Sequence, residues 1–254
     1  MDYAVVTGIS RGLGEAVARL LLECGIHVFG ISRNGSKTLE RFAKENNARF
    51  THAACDLNNI PELESTIGEI ADRIFADEDL SSLYIVNNAA IVTPIERADR
   101  ILDTERIAEH MQINLVSPMF ILNTFLHKAN SHDISLVGVN VTSGASVRPI
   151  YGFSTYCSAK AGLDMYTKTV AAEQEILGLS HKIFGFSPGV MDTGMQEEIR
   201  SAPSEAFIEV EKFRDYKRQN MLSHTDEIGG ILVDILMDAS NALNGKIYNV
   251  KDYL

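Results

Sequence analysis

The stretch Thr7-Gly8-Ile9-Ser10-Arg11-Gly12-Leu13-Gly14 decides how the chain reads. It follows the apolar run Tyr3–Thr7, which has strand character, and leads into the amphipathic segment Leu13–Glu23. A glycine-rich turn between a strand and a helix lets main chain approach a pyrophosphate, and the helix aims its positive amino terminus at that anion. No Gly-Lys-Ser/Thr follows, so this is not a Walker A loop. Gly8, Ser10, Arg11, Gly12, Leu13 and Gly14 are therefore expected to line a dinucleotide.

Working outward, short β-rich runs alternate with longer helical patterns. Strands are expected at Tyr3–Thr7, Ile26–Ser32, Arg49–Ala54, Leu83–Asn87, Ile134–Thr142, His181–Ser187 and Lys246–Val250. Helices are expected at Leu13–Glu23, Lys37–Glu45, Pro61–Phe75, Glu105–Lys128, Ser154–Leu177 and Asp226–Met237. Several strands are apolar on successive residues, as strands covered on both faces are. The alternation predicts an α/β fold: one Rossmann-type, doubly wound parallel sheet of about seven strands with helices on both faces. No repeat or linker appears, so residues 1–254 are read as a single domain. An insertion at about 190–222, carrying Met191, Met195, Ile199, Phe207 and Phe213, leaves the sixth strand at its carboxyl end. In such sheets that is where ligands bind, and it is read as a substrate lid.

Composition narrows the function. The 254 residues carry 23 Lys and Arg against 34 Asp and Glu, a net charge of −11. This argues against nucleic-acid binding, which draws its affinity from cationic side chains. Cys24, Cys55 and Cys157 lack metal-ligand spacing and read as reduced thiols of a cytoplasmic protein, with no metal site. The opening Met1-Asp2-Tyr3 has no basic leader, and no apolar run approaches the roughly 18–20 residues that cross a bilayer.

The end of the second strand selects the cofactor. An NAD site places an acid there for the ribose 2′-hydroxyl. Here the segment is Gly30-Ile31-Ser32-Arg33-Asn34. Arg33 and Arg11 are instead suited to a 2′-phosphate through charge-assisted hydrogen bonds, so NADP (NADPH) is expected. Asp56-Leu57 and Asn87-Asn88-Ala89-Ala90 close the third and fourth strands. Asp56 is a partner for the adenine amino group or a helix cap, and Asn87 ties its strand to its neighbours.

Downstream lies the chemistry. The fifth strand runs into Ser143, and Tyr156 and Lys160 follow in Tyr156-Cys157-Ser158-Ala159-Lys160. On a helix these share one face, so the ammonium lies beside the phenol and is expected to lower its pKa from about 10. Ser143 can bond the same substrate oxygen. Tyr151, Phe153, Met191 and Met195 are candidates for an adaptable apolar pocket around Ser143. No cation is evident near this motif to capture a substrate carboxylate.

With these residues assembled, the chain resembles the short-chain dehydrogenase/reductase family over essentially its whole length. The resemblance rests on Thr7-Gly8-x-x-x-Gly12-x-Gly14, Asp56, Asn87-Asn88-Ala89, Asn114, Ser143, Tyr156-x-x-x-Lys160 and Pro188-Gly189 with Thr193. Ala90 stands where the family usually has Gly. The resemblance implies that Tyr156 protonates the carbonyl oxygen as hydride arrives and that Lys160 tunes Tyr156 and bonds the nicotinamide ribose. It further implies that Ser143 polarises the carbonyl and Asn114 holds a water in the relay. Pro188, Gly189, Val190 and Thr193 would line the carboxamide.

Ser187–Gln196 with Ala172–Glu175 is similar to the branch holding sepiapterin reductases and, within it, the bacterial benzil reductases that form (S)-benzoin. That implies NADPH-dependent reduction of one carbonyl of an α-diketone. Asn249 stands where a pterin-binding enzyme has Asp, which disfavours a pterin side-chain ketone. The acidic surface disfavours a 3-oxoacyl thioester carried on an acidic protein. A non-catalytic NADP-binding regulator would have no use for Asn114, Ser143, Tyr156 and Lys160 together. The family commonly forms homodimers or homotetramers through its long helices.

Overall fold

The computed structural model describes residues 1–254. The chain runs β1 (Asp2–Thr7), α1 (Gly12–Glu23), β2 (His27–Ser32), α2 (Lys37–Asn46), β3 (Phe50–Ala54), α3 (Ile60–Phe75), β4 (Ser82–Asn87) and α4 (Thr104–Met111). It continues with α5 (Ser117–His132), β5 (Ser135–Val141), α6 (Ser154–Ile176), β6 (Lys182–Ser187), α7 (Gly194–Ser201), α8 (Val210–Arg218), α9 (Thr225–Met237) and β7 (Ile247–Asn249). The seven strands form one sheet in the order β3-β2-β1-β4-β5-β6-β7, with every pair parallel. Strand order reverses between β1 and β4, and in open sheets a ligand crevice lies at that switch, outside the carboxyl ends.

Alternate residues of each strand face opposite layers. In β1, Ala4 and Val6 join a core with Leu13, Val17 and Leu21 of α1 and Ile228 and Leu232 of α9. Tyr3 and Val5 join a second core with Ile67 and Ile70 of α3 and Ile121 and Phe125 of α5. Both faces are therefore covered, which is why these strands are apolar on successive residues.

Local signals set the helix ends. Ser36 caps α2 by accepting the Leu39 N–H at 3.1 Å. Asn59 caps α3, which has a proline in its first turn. Asp56 instead closes a tight turn by accepting the Asn58 N–H at 3.0 Å, so it is not the α3 cap. The helix expected at Glu105–Lys128 is α4 and α5 joined by a π-turn at Gln112–Val116. Apolar periodicity does not register one extra residue in a turn.

Candidate active site

The Gly8–Gly14 turn sits at the β1/β4 switch. Thr7 Oγ1 accepts the N–H groups of Asn88 and Ala89, both at 3.0 Å, and Asn88 Nδ2 donates to Thr7 O at 2.9 Å. The end of β4 is thereby stitched to the glycine turn. Gly14 cannot be larger, since a Cβ there would lie 2.3 Å from Gly8 O. A Cβ on Gly12, whose φ is +71°, would lie 3.5 Å from Thr193 Cγ2 and project between the turn and the loop after β6.

α1 begins with no side-chain cap, Arg11 standing at the cap position in extended conformation. Its first N–H groups thus remain available to an anion, unlike those of the capped α2 and α3. Bare donors facing a glycine-walled crevice fit a dinucleotide pyrophosphate. Pro188 is buried and Gly189 exposed at the opposite wall, with Val190 partly buried beside it.

The flanking residues divide. Arg33 is exposed at the end of β2. Arg11 points across the crevice, its guanidinium carbon 2.9 Å from where a Gly194 Cβ would stand. It therefore lies against the start of α7. Leu57 O accepts from Ser117 Oγ at 2.8 Å, tying the end of β3 to α5. At the next strand ends Asn87 Nδ2 donates to Asn140 Oδ1 at 2.9 Å. Asn140 Nδ2 in turn donates to Thr167 Oγ1 at 2.9 Å. That chain registers β4, β5 and α6, and so places Ser143 relative to Tyr156.

Tyr156 and Lys160 lie one turn apart near the start of α6, 7% and 2% exposed. Lys160 Nζ stands 5.8 Å from the centre of the Tyr156 ring and donates to Val141 O at 2.8 Å. Burial lowers the Lys160 pKa from 10.5 to about 8, opposed by the Asp164 charge. Burial pushes Tyr156 from 10.0 up to about 12, opposed by a hydrogen bond with Ser143. The expected depression of the phenol is thus reversed, because the desolvation of its anion dominates. The phenol is held as an acid with its proton on. Ser143 Oγ also accepts the Ala145 N–H at 3.2 Å.

Asn114 lies inside the π-turn, fully buried. Its Oδ1 accepts the Ile91 N–H at 3.1 Å and its Nδ2 donates to Ile91 O at 2.9 Å. The side chain therefore fixes the loop after β4.

A third apolar cluster joins Tyr156 to the segment after β6. It contains Val92, Ile150, Phe153 and Tyr156 together with Ile199, Phe207, Val210 and Phe213, and Met195 and Val190 pack on it. Phe153 stacks on Phe207 with ring centres 4.6 Å apart and planes at 8°, and meets Tyr156 edge-on at 5.6 Å. Tyr151 is exposed and its hydroxyl reaches Glu205 O at 3.4 Å. Met191 does not join this group. It packs on the core beneath α1 and α9, because its main chain pairs with Ser223 and turns it under the sheet edge.

Three residues near this cluster have places that spacing does not convey, Phe207 being expected only as part of the insertion. Phe207 supplies the stacked wall. Arg148 supplies a cation close enough to lower the Cys157 thiol's pKa against the larger effect of burial. His110, buried in α4, presents its ring to Tyr156 edge-on at 6.0 Å. Its one signal in the sequence is its place one helical turn before Asn114.

No helix is long and apolar enough to cross a membrane. Residues 2–204 match the family described as short chain dehydrogenase. The benzil reductase ((S)-benzoin forming) of Bacillus subtilis is 37% identical over 254 residues, covering all of both chains. The sepiapterin reductase of Bos taurus is 27% identical over 205 residues, covering 77% of this chain and 75% of its own. The crystal structure of the KRED1-Pglu enzyme superposes with a TM-score of 0.79 at 26% identity, covering 97% of this chain and 100% of that one. Glycine turn, parallel sheet and family match agree: the chain belongs to the short-chain dehydrogenase family and is an oxidoreductase of the CH–OH/C=O pair.

Proposed function

We propose that this protein is an NADPH-dependent reductase that converts one carbonyl of an α-diketone, such as benzil, into the hydroxyketone. One observation carries the reading: the buried Tyr156, its pKa raised so that it keeps its proton, lies beside Ser143 and edge-on to Phe153, which stacks on Phe207. The activity of the full-length Bacillus subtilis relative, a benzil reductase, supports it. When bound, the cofactor supplies the hydride.

The protein does the rest. Gly8, Ser10, Arg11, Gly12, Leu13 and Gly14 hold the pyrophosphate side, Arg33 with Arg11 the 2′-phosphate, and Asp56 and Leu57 the adenine end. Asn88, Ala89, Ala90, Pro188, Gly189, Val190 and Thr193 line the remainder. Ser143 donates to the carbonyl oxygen and fixes its orientation. Tyr156 gives that oxygen its proton, and with a pKa near 12 it starts the step protonated at neutral pH. Lys160, held by Val141 O, keeps a positive charge beside the phenolate that forms. Asn114 fixes Ile91 and with it the inner wall.

The segment at 190–222 acts as a lid of two short helices, α7 and α8. Lys217 pairs with Asp192 at 2.5 Å, and the buried Phe207 and Phe213 anchor the segment to the cluster that holds Tyr156. Met195 and Tyr151 border it. Val116 and Met165, 44% and 64% exposed beside the long helices, suit the face of a homodimer or homotetramer. The three free thiols suit a cytoplasmic enzyme.

A substrate panel tests the reading. Benzil, 1-phenyl-1,2-propanedione, sepiapterin and an acetoacetyl thioester are compared by kcat/KM with NADPH. Benzil and the phenyl dione lead if the reading holds. A lead of about tenfold or more by sepiapterin or the thioester, 1.4 kcal/mol in transition-state binding, refutes the diketone assignment.

A further inference from the structure

Several buried polar atoms near Tyr156 lack a protein partner, among them the hydroxyls of Thr142 and Thr155, the Asp164 carboxylate and Nε2 of His110, and of these only His110 presents its ring to Tyr156. His110 is fully buried at the end of α4. Its Nδ1 lies 2.7 Å from Thr93 O. A carbonyl only accepts, so Nδ1 carries the hydrogen and the lone pair of the ring belongs to Nε2. Nε2 is sealed from solvent and has no protein partner. Buried polar atoms of this kind are rare and call for an explanation.

The surroundings supply one. The His110 ring stands edge-on to Tyr156 at 6.0 Å, and its ionisation feels the Lys160 charge. His110 and Asn114, one turn apart, grip alternate residues of the same loop, Thr93 and Ile91. The Lys160 ammonium has three N–H groups and one protein acceptor, Val141 O. An acceptor lone pair and spare donors are therefore left over in the same buried neighbourhood. A single water or hydroxyl can span such a gap at nearly the strength of a direct bond.

We propose that His110 is a positioning residue for Tyr156 and Lys160, its Nε2 accepting the hydrogen bond that fixes the proton network around the phenol. The inference rests on the reading of Tyr156 as the proton donor. The groups that bear on it are Lys160 and Tyr156 from α6 and Glu109 on its own helix, while the loop contributes only the uncharged Thr93 carbonyl. Burial, with Lys160 acting in the same sense, holds the ring neutral against the Thr93 hydrogen bond and the pull of Glu109. Protonation of Nε2 would cancel the acceptor.

Three variants separate position from packing. His110→Asn keeps a donor near Nδ1 and removes Nε2. His110→Gln returns an amide near the place of Nε2. His110→Phe keeps a ring against Tyr156 and removes both nitrogens. With NADPH and the best substrate of the panel, the Asn and Phe variants should lose about tenfold in kcat, as for one lost hydrogen bond, with KM and NADPH binding little changed. Their pH profiles should lose the acid limb that His110 sets, and the Gln variant should recover part of the rate. A folded Asn or Phe variant with native kcat and native pH profile overturns the inference.

A measurement on the native holoenzyme needs no variant. The 15N resonances of His110 should report Nδ1 protonated and Nε2 accepting a hydrogen bond, and a protonated Nε2 at neutral pH overturns the inference as well. Tyr156→Phe assayed alongside keeps the two levels apart. Turnover in that variant defeats the underlying reading, whereas its loss together with native His110 variants defeats only the role of His110.

Discussion

Lys160 Nζ donates a 2.8 Å hydrogen bond to the carbonyl oxygen of Val141, two residues before Ser143. One side chain of α6 thus grips the strand end that leads into Ser143, and the ammonium is left beside the Tyr156 ring. Burying that charge is unfavourable, as the fall of its pKa to about 8 records. Lys160→Met should therefore lose both turnover and NADPH affinity while its melting temperature stays near native. A calorimetric scan beside a cofactor titration checks this, and collapse of the fold would mean that Lys160 is chiefly structural.

Asp164, one turn beyond Lys160 and 5% exposed, is the charge that opposes this fall. Asp164→Asn should lower the Lys160 pKa further. The charged form needed for turnover would then be lost at lower pH, moving the alkaline limb of the rate profile downward. A pH–kcat profile of the two proteins measures the shift, and an unmoved or raised limb would contradict the coupling.

How much of this was legible in the chain differs by level. All seven expected strands are present, with ends displaced by a residue or so, as at Ile26 and Ile134, which precede β2 and β5. Strands buried on both faces write their apolar content into the sequence without ambiguity. The glycine turn was equally readable, because close approach at Gly14 admits no side chain.

Spacing did not convey environment. Tyr156 and Lys160 share a face as expected, yet the phenol rises in pKa, since burial comes from Phe153, Ile150 and the distant Phe207. Met191 and Met195 are four apart but serve different cores, because pairing with Ser223 turns the chain between them. Arg11 packs against Gly194, a neighbour far along the chain that spacing does not reveal.

The proposed preference for NADPH rests on the two arginines. Neither Arg11 nor Arg33 takes part in an ion pair within 4.0 Å, so both can meet a phosphate at no cost in existing bonds. Arg33→Ala should raise the KM for NADPH about tenfold to a hundredfold, the worth of one charge-assisted contact. The KM for NADH should change little. Equal effects on the two cofactors would contradict the assignment.

Acid should weaken the fold at a defined place. His181 accepts the Leu136 N–H on Nδ1 at 3.1 Å and meets Asn130 Oδ1 through Nε2 at 2.7 Å, so its ring is locked neutral. Burial lowers its pKa, as it does those of His27 and His110. Below the ordinary value of 6.5 the unfolded chain takes up protons that the folded chain refuses, and stability falls as pH falls. Melting temperatures from pH 7 down to pH 5 should decline, and His181→Gln should flatten the decline. A flat native profile would contradict it.

The central claim is that the Tyr156 hydroxyl delivers the proton to the reduced carbonyl, and single-turnover reduction of benzil by NADPH with Tyr156→Phe tests it most directly. The substitution removes one oxygen from a buried ring and leaves the Phe153 contact and the Lys160–Val141 bond in place. The rate should fall by about 10²–10⁴, the usual share of a general acid, with NADPH binding unchanged. A rate close to native, with cofactor bound as tightly as before, would show that the proton comes from another group.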